Sequence, residues 1–123
     1  MKRLCKFVCL LLLIALTMVG CQKSEFDGSR ASNDEQFILD YDVLNCEKEH
    51  NLKLEKGMKL DVEIVNQSGR IDVKVVGTTG NVLYKGDNAS SNSFVLTAQT
   101  TDTYKISVKG KDAKGRISFK RRL

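Results

Sequence analysis

From Met58 to Val65 apolar and polar residues alternate: Met58, Leu60, Val62 and Ile64 against Lys59, Asp61 and Glu63. A helix would scatter these apolar side chains around its surface, whereas a strand puts them on one face. The same period of two recurs along the chain. Phe37, Leu39, Tyr41 and Val43 alternate with Ile38, Asp40, Asp42 and Leu44. His50–Leu54 reads as a strand with Leu52 and Leu54 inward, and Val82–Tyr84 as a short one. Phe94, Leu96 and Ala98 share a face, as do Tyr104, Ile106 and Val108, then Ile117 and Phe119. Ile71, Val73 and Val75 restart the pattern after Asn66–Gly69, which reads as the turn of a hairpin, and Gly110–Gly115 reads as a loop. With no proline in the chain, turns fall to Gly, Asn, Asp and Ser, and Gly86–Asn92 is the most loop-like stretch. Seven or eight short strands at a spacing of roughly 8 to 12 residues predict an all-β fold, an antiparallel β-sandwich of jelly-roll-like kind. Two sheets packed face to face bury one face of each strand.

The first twenty residues follow different rules. Lys2, Arg3 and Lys6 precede a charge-free apolar run from Val8 through Leu16 to Val19, and then come Gly20 and Cys21. A basic start, a short apolar middle and a small residue at the cut make a secretory signal. The run is shorter than the roughly 20 residues that span a bilayer as a helix. The stretch Met18-Val19-Gly20-Cys21 resembles the lipobox of bacterial lipoproteins, with Met18 where that family has Leu, Val or Ile. The resemblance implies cleavage between Gly20 and Cys21 and a lipid on the Cys21 thiol. Two or more acyl chains hold a protein stably at a membrane, at roughly 0.8 kcal/mol per buried CH₂. The expected organisation is a signal helix and signal peptide over 1–20, a lipidated N-terminus and flexible linker over 21–36, and a β-sandwich domain over 37–123. Residues 22–36 carry one large apolar side chain, Phe26, and so read as coil.

Removing residues 1–20 from the 123 leaves 103, enough for one core. It also takes Lys2, Arg3 and Lys6, so the formal charge falls from +5 to +2, which makes no case for a nucleic-acid partner. Charge is nonetheless uneven. Glu25–Glu63 holds 11 acids and 5 bases, while Thr103–Arg122 holds 8 bases and Asp112 alone. The fold is expected to bring these segments together. The rival expectation is that Lys120-Arg121-Arg122 and the strand before it lie against anionic lipid or wall polymer.

No constellation of catalytic residues stands out. On the lipobox resemblance Cys5 and Cys9 would leave with the signal and Cys21 would be blocked by lipid, so Cys46 would be a single thiol, read as a small buried hydrophobe. His50 is the one histidine. Cys46 and His50 would lie roughly 13 Å apart on a strand and would meet only on a helix. Ser90, Ser91 and Ser93 lack an elbow motif. Asp40 with Asp42, or Asp87 with Asn88 and Asn92, could offer calcium its oxygens, but both read as ordinary polar surface. No catalytic residue, metal ligand or cofactor is therefore assigned, and the chain is not expected to be an enzyme.

A second resemblance rests on Leu54-Glu55-Lys56-Gly57-Met58-Lys59-Leu60-Asp61-Val62, on Gly80-Asn81-Val82-Leu83-Tyr84 and on Asp102-Thr103-Tyr104-Lys105-Ile106-Ser107-Val108. These are similar to β-sandwich domains of secreted bacterial proteins of the pre-peptidase C-terminal type, and to small lipoproteins of Gram-positive bacteria. The resemblance implies a non-catalytic binding or accessory module of the cell envelope. It would be held at the extracytoplasmic face of the membrane by Cys21, with an envelope protein or wall polymer as partner. An envelope structural or self-associating protein, touching through Cys46 or an edge strand, is the second reading.

Overall fold

The computed structural model describes residues 24–122, so Gly20 and Cys21 lie outside the described residues. The described chain is all-β, with seven strands: β1 (Glu25–Ser32), β2 (Gln36–Asn45), β3 (Glu47–Leu54), β4 (Lys59–Gly77), β5 (Val82–Gly86), β6 (Asn92–Thr97) and β7 (Asp102–Arg122). All pairings are antiparallel.

Two strands are long, and they organise the rest. β4 and β7 run side by side from Lys59 opposite Arg122 to Gly77 opposite Tyr104. The first half of β4 pairs with β6 and its second half with β5. Likewise β3 pairs with the first half of β7 and β2 with its second half. Bending this ribbon at its middle yields two layers, β1-β2-β7-β4-β6 and β3-β7-β4-β5. Contacts between strands that share no ladder prove that the layers face each other. Tyr84 of β5 packs against Phe94 of β6 in a tilted pair with ring centroids 4.8 Å apart, and Phe37 of β2 meets His50 of β3 at 5.3 Å.

The bend is where the expectation of a hairpin at 66–69 and a loop at 110–115 is corrected. Both segments are continuous strand, each broken in register rather than reversed, with shifts between Asn66 and Ser68 and between Ser68 and Arg70. The extra residues of a β-bulge kink the strand and flip which residues face inward. Accordingly Leu60, Val62 and Ile64 are buried before the bend, and Ile71, Val73 and Val75 after it. Gly69 sits at φ 77° and Asp112 at φ 49°. A Cβ on Gly69 would collide with the Asp112 carbonyl, so the ribbon can close at this corner only with glycine.

The segment Glu25–Ser32 is also corrected, from flexible linker to edge strand. It pairs with β2 from Glu25 opposite Asn45 to Ser32 opposite Phe37, with a bulge between Asp27 and Gly28. Its only half-buried residue is Phe26, so hydrophobic periodicity gave it no signal. Backbone bonds to β2 hold it, together with two side chains that reach the other layer. Lys48 Nζ of β3 lies 4.6 Å from the Phe26 ring centroid, and Arg30 donates to the Glu49 carbonyl at 2.7 Å.

The core consists of inward residues from both layers. Phe37, Leu39, Leu54, Leu60, Ile71, Val75, Tyr104, Ile106, Ile117 and Phe119 are all fully buried. Each such aliphatic side chain contributes on the order of 1.5–3 kcal/mol relative to exposure. Tyr104 keeps its hydroxyl satisfied by donating to the Thr100 carbonyl at 2.7 Å.

Candidate functional site

The charge asymmetry of the chain resolves inside the ladders. Because β7 lies between β2 and β4 in one layer and between β3 and β4 in the other, its bases meet the acids of the earlier strands. Arg116 pairs with Asp40 at 3.5 Å and Lys105 with Glu49 at 3.8 Å, and Arg122 pairs with Asp61. Arg121 is half-buried and donates to the Lys53 carbonyl at 3.2 Å. The basic C-terminus is thus tied into mixed-charge faces, as expected of a fold that joins the two segments. A shallow groove on the β3-β7-β4-β5 face is similarly mixed, lined by Glu47, Asp72, Lys74, Lys85, Asp87 and Lys109.

The residues weighed for chemistry do not converge. The Cys46 carbonyl accepts from Gly110 N at 2.9 Å, while His50 lies opposite Ile106. Cys46 sits at the bend before β3 and His50 within the strand, so four residue steps of extended chain separate them, a span of up to roughly 13 Å. His50 Nε2 is 2.8 Å from the Asn33 carbonyl, and Cys46 packs half-buried against the core. Asp40 faces Arg116. Asn88 N–H donates to Asp72 Oδ1 at 2.8 Å, and Asn92 Oδ1 accepts from Ser93 N. Ser91 Oγ accepts from Asn66 N, which ties the β5–β6 loop to the bend. Among the described residues no three of His, Cys, Asp and Glu come together as a metal site.

Two carboxylates are held below their ordinary range. For Asp72 the leading cause is the Asn88 N–H, helped by Arg70 and Lys109. For Asp102 it is the Thr78 hydroxyl, helped by the backbone N–H groups of Thr103 and Thr79. Both fasten turns: Asp102 clamps 78–79 to the start of β7, and Asp72 clamps the loop after β5. Burial pushes the Tyr41 hydroxyl up to about 12, with Asp40 adding to the effect. That hydroxyl is buried without a hydrogen-bond partner among the described residues.

The N-terminal entry is well defined. Glu25 lies opposite Asn45, and Asn45 Oδ1 accepts from Asp112 N at 3.2 Å. The chain therefore enters at the bent end of the sandwich. Lys120–Arg122 are at the other end, where Arg122 lies opposite Lys59.

No family model and no curated protein matches the chain. Among solved structures it is similar to the periplasmic lysozyme inhibitor PliG of Aeromonas hydrophila, at 11% identity over 80% of this chain and 96% of that one, with a TM-score of 0.45. It is also similar to a CBM4 structure, at 13% identity over 79% and 74% with a TM-score of 0.41. A third is a cupin domain of Bordetella pertussis, at 7% identity over 82% and 97% with a TM-score of 0.38. All three are distant likenesses.

Proposed function

We propose that the chain is a bacterial lipoprotein, anchored through Cys21 at the extracytoplasmic face of a membrane, whose sandwich is a non-catalytic binding or accessory module of the cell envelope. The observation that carries this reading is the sequence Met18-Val19-Gly20-Cys21 at the end of an uncharged run. The start of β1 at Glu25 supports it, because cleavage before Cys21 would leave every strand of the described residues intact. The mixed-charge faces are consistent with a protein or polymer partner and offer no continuous basic track for nucleic acid.

The position of β1 shortens the tether. Cys21 lies four residue steps before Glu25, a reach of roughly 14 Å when fully extended. The bent end of the sandwich, with Gly69, Lys111 and Asp112, would then sit next to the lipid surface, and the C-terminal end would point away from it.

The test is fractionation of bacteria expressing the full chain and its Cys21→Ser variant, with the mass of the mature N-terminus. The reading requires a chain that begins at a diacylglyceryl-modified Cys21 and pellets with membranes. The Cys21→Ser product should lack the lipid mass. An unmodified mature Cys21, or cleavage elsewhere, would overturn it.

A further inference from the structure

Among the described residues the two layers expose four edge strands, and three of them carry features that discourage further pairing. β1 is bulged at Asp27/Gly28 and bears Glu25, Asp27 and Arg30. β3 bears Glu47, Lys48, Glu49 and Lys53. β5 is five residues long, carries Lys85 and shifts register between Val75 and Val76. Charges, bulges and shortness are the usual means by which an open edge is kept from pairing.

β6, one residue longer than β5, has neither charge nor bulge. Its sequence is Asn-Ser-Phe-Val-Leu-Thr, it pairs with β4 without a register shift, and no charged residue occurs from Asn88 to Thr101. Val95, at its centre, is 46% exposed. Phe94 and Leu96 face the core side yet are only half-buried.

The free backbone groups of this edge can be assigned. Ala98 N donates to the Met58 carbonyl, and the register continues through Leu96 opposite Leu60 and Phe94 opposite Val62. In an antiparallel ladder alternate residues bond to the same neighbour. The even-numbered residues therefore face β4, and Ser93, Val95 and Thr97 direct their N–H and C=O groups outward. Two of these outward groups are held by nearby side chains: Ser93 N by Asn92 Oδ1 at 2.9 Å and Thr97 O by Gln99 Nε2 at 3.3 Å. Both locate the free edge, and both are local contacts that an incoming strand could replace.

We propose that this edge pairs with β6 of a second copy of the chain. The occupant follows from self-complementarity. A two-fold axis at Val95 sets Val95 opposite Val95 of the other copy and Ser93 opposite Thr97, so the outward groups bond in reciprocal pairs. The same operation brings Phe94 across from Leu96 on the core side. The two paired strands carry no charge, so the isologous contact sets no like charges of β6 against each other. The four strands β1, β2, β7 and β4 of each copy would then flank a central β6–β6 pair in one continuous sheet. This association does not depend on the anchor at Cys21.

The test uses the full chain solubilised in detergent. Wild type should sediment as a concentration-dependent dimer. The Val95→Lys variant places two ammonium groups opposite each other and should weaken the dimer roughly tenfold or more. Val95 is exposed, so this variant should keep the wild-type circular dichroism. In a Cys46→Ser background, Val95→Cys should yield a disulfide-linked dimer of the chain under mild oxidation. Val65→Cys, 37% exposed but inside the sheet on β4, should not. Three results would overturn the proposal: a wild type that stays monomeric at the highest attainable concentration, equal dimerisation by Val95→Lys, or a Val95→Cys variant that links to a different polypeptide or to none.

Discussion

Arg30 of β1 donates to the Glu49 carbonyl of β3 at 2.7 Å, with its guanidinium 4.9 Å from the Phe37 ring centroid, and so joins the outer strands of the two layers. Unlike the β1–β2 ladder, it crosses from one layer to the other. Arg30→Ala is expected to loosen β1 selectively. Amide exchange over residues 25–32 should quicken, while exchange in β4 and β7 stays slow. Urea denaturation should register a loss of about 1 kcal/mol. Unchanged exchange in β1 would mean that the ladder alone holds it.

Tyr41 shows what an unmatched polar group does to a core. Its hydroxyl is buried with no partner among the described residues, so Tyr41→Phe should be neutral or slightly stabilising at pH 7. The folded state holds the phenolic proton to about pH 12, against an ordinary 10.0. The stabilisation linked to this group is full below pH 10 and is lost as pH rises toward 12. Wild type should therefore weaken across that window, and Tyr41→Phe should weaken less. Urea midpoints measured from pH 8 upward decide the point.

Asp72 and Asp102 make the opposite prediction at low pH. Both carboxylates titrate below their ordinary value in the folded state. Their contribution is present above the unfolded value of about 4 and is lost as pH falls through the lowered folded values. Stability should decline on acidification below roughly pH 4. Asp102→Asn should flatten that decline and release the 78–80 turn. A midpoint that is independent of pH in this range would contradict the clamp.

Gly69 and Gly57 separate two kinds of positive-φ glycine. Gly57 sits at φ 88° in open space, and Gly57→Ala should cost about 1 kcal/mol. Gly69 sits at φ 77° with the Asp112 backbone against it, and Gly69→Ala should cost about 3 kcal/mol or more. Equal costs in paired urea titrations would remove the argument that this corner depends on close backbone approach.

Much of the sandwich was legible in the sequence, because alternation and burial share one cause. Leu52, Leu54, Leu60, Val62, Ile71, Val73, Tyr104, Ile106, Ile117 and Phe119 are the inward residues that the period of two predicts, and all are buried. The misreadings have a common origin as well. At Tyr41–Leu44 a register shift hands the core position from Val43 to Leu44. At 66–70 the same kind of slip, in residues that also suit turns, is indistinguishable from a chain reversal when one strand is read alone. The clue lay in the partner, since the pattern breaks again at 110–115, the stretch that pairs with it. β1 was hidden for a different reason. Its order comes from its neighbour's backbone and from Arg30 and Phe26, and one half-buried side chain in eight leaves no period to detect. The candidate interface was not legible either, because β6 is distinguished only by what the other three edges carry, and which strands are edges depends on topology.

The shared ribbon of β4 and β7 has a further consequence. Each runs the length of the domain as an inner strand of both layers, so there is no seam along which the two layers could part. Loosening either layer strips the other of its spine, and the domain should melt in one step rather than shed half of itself.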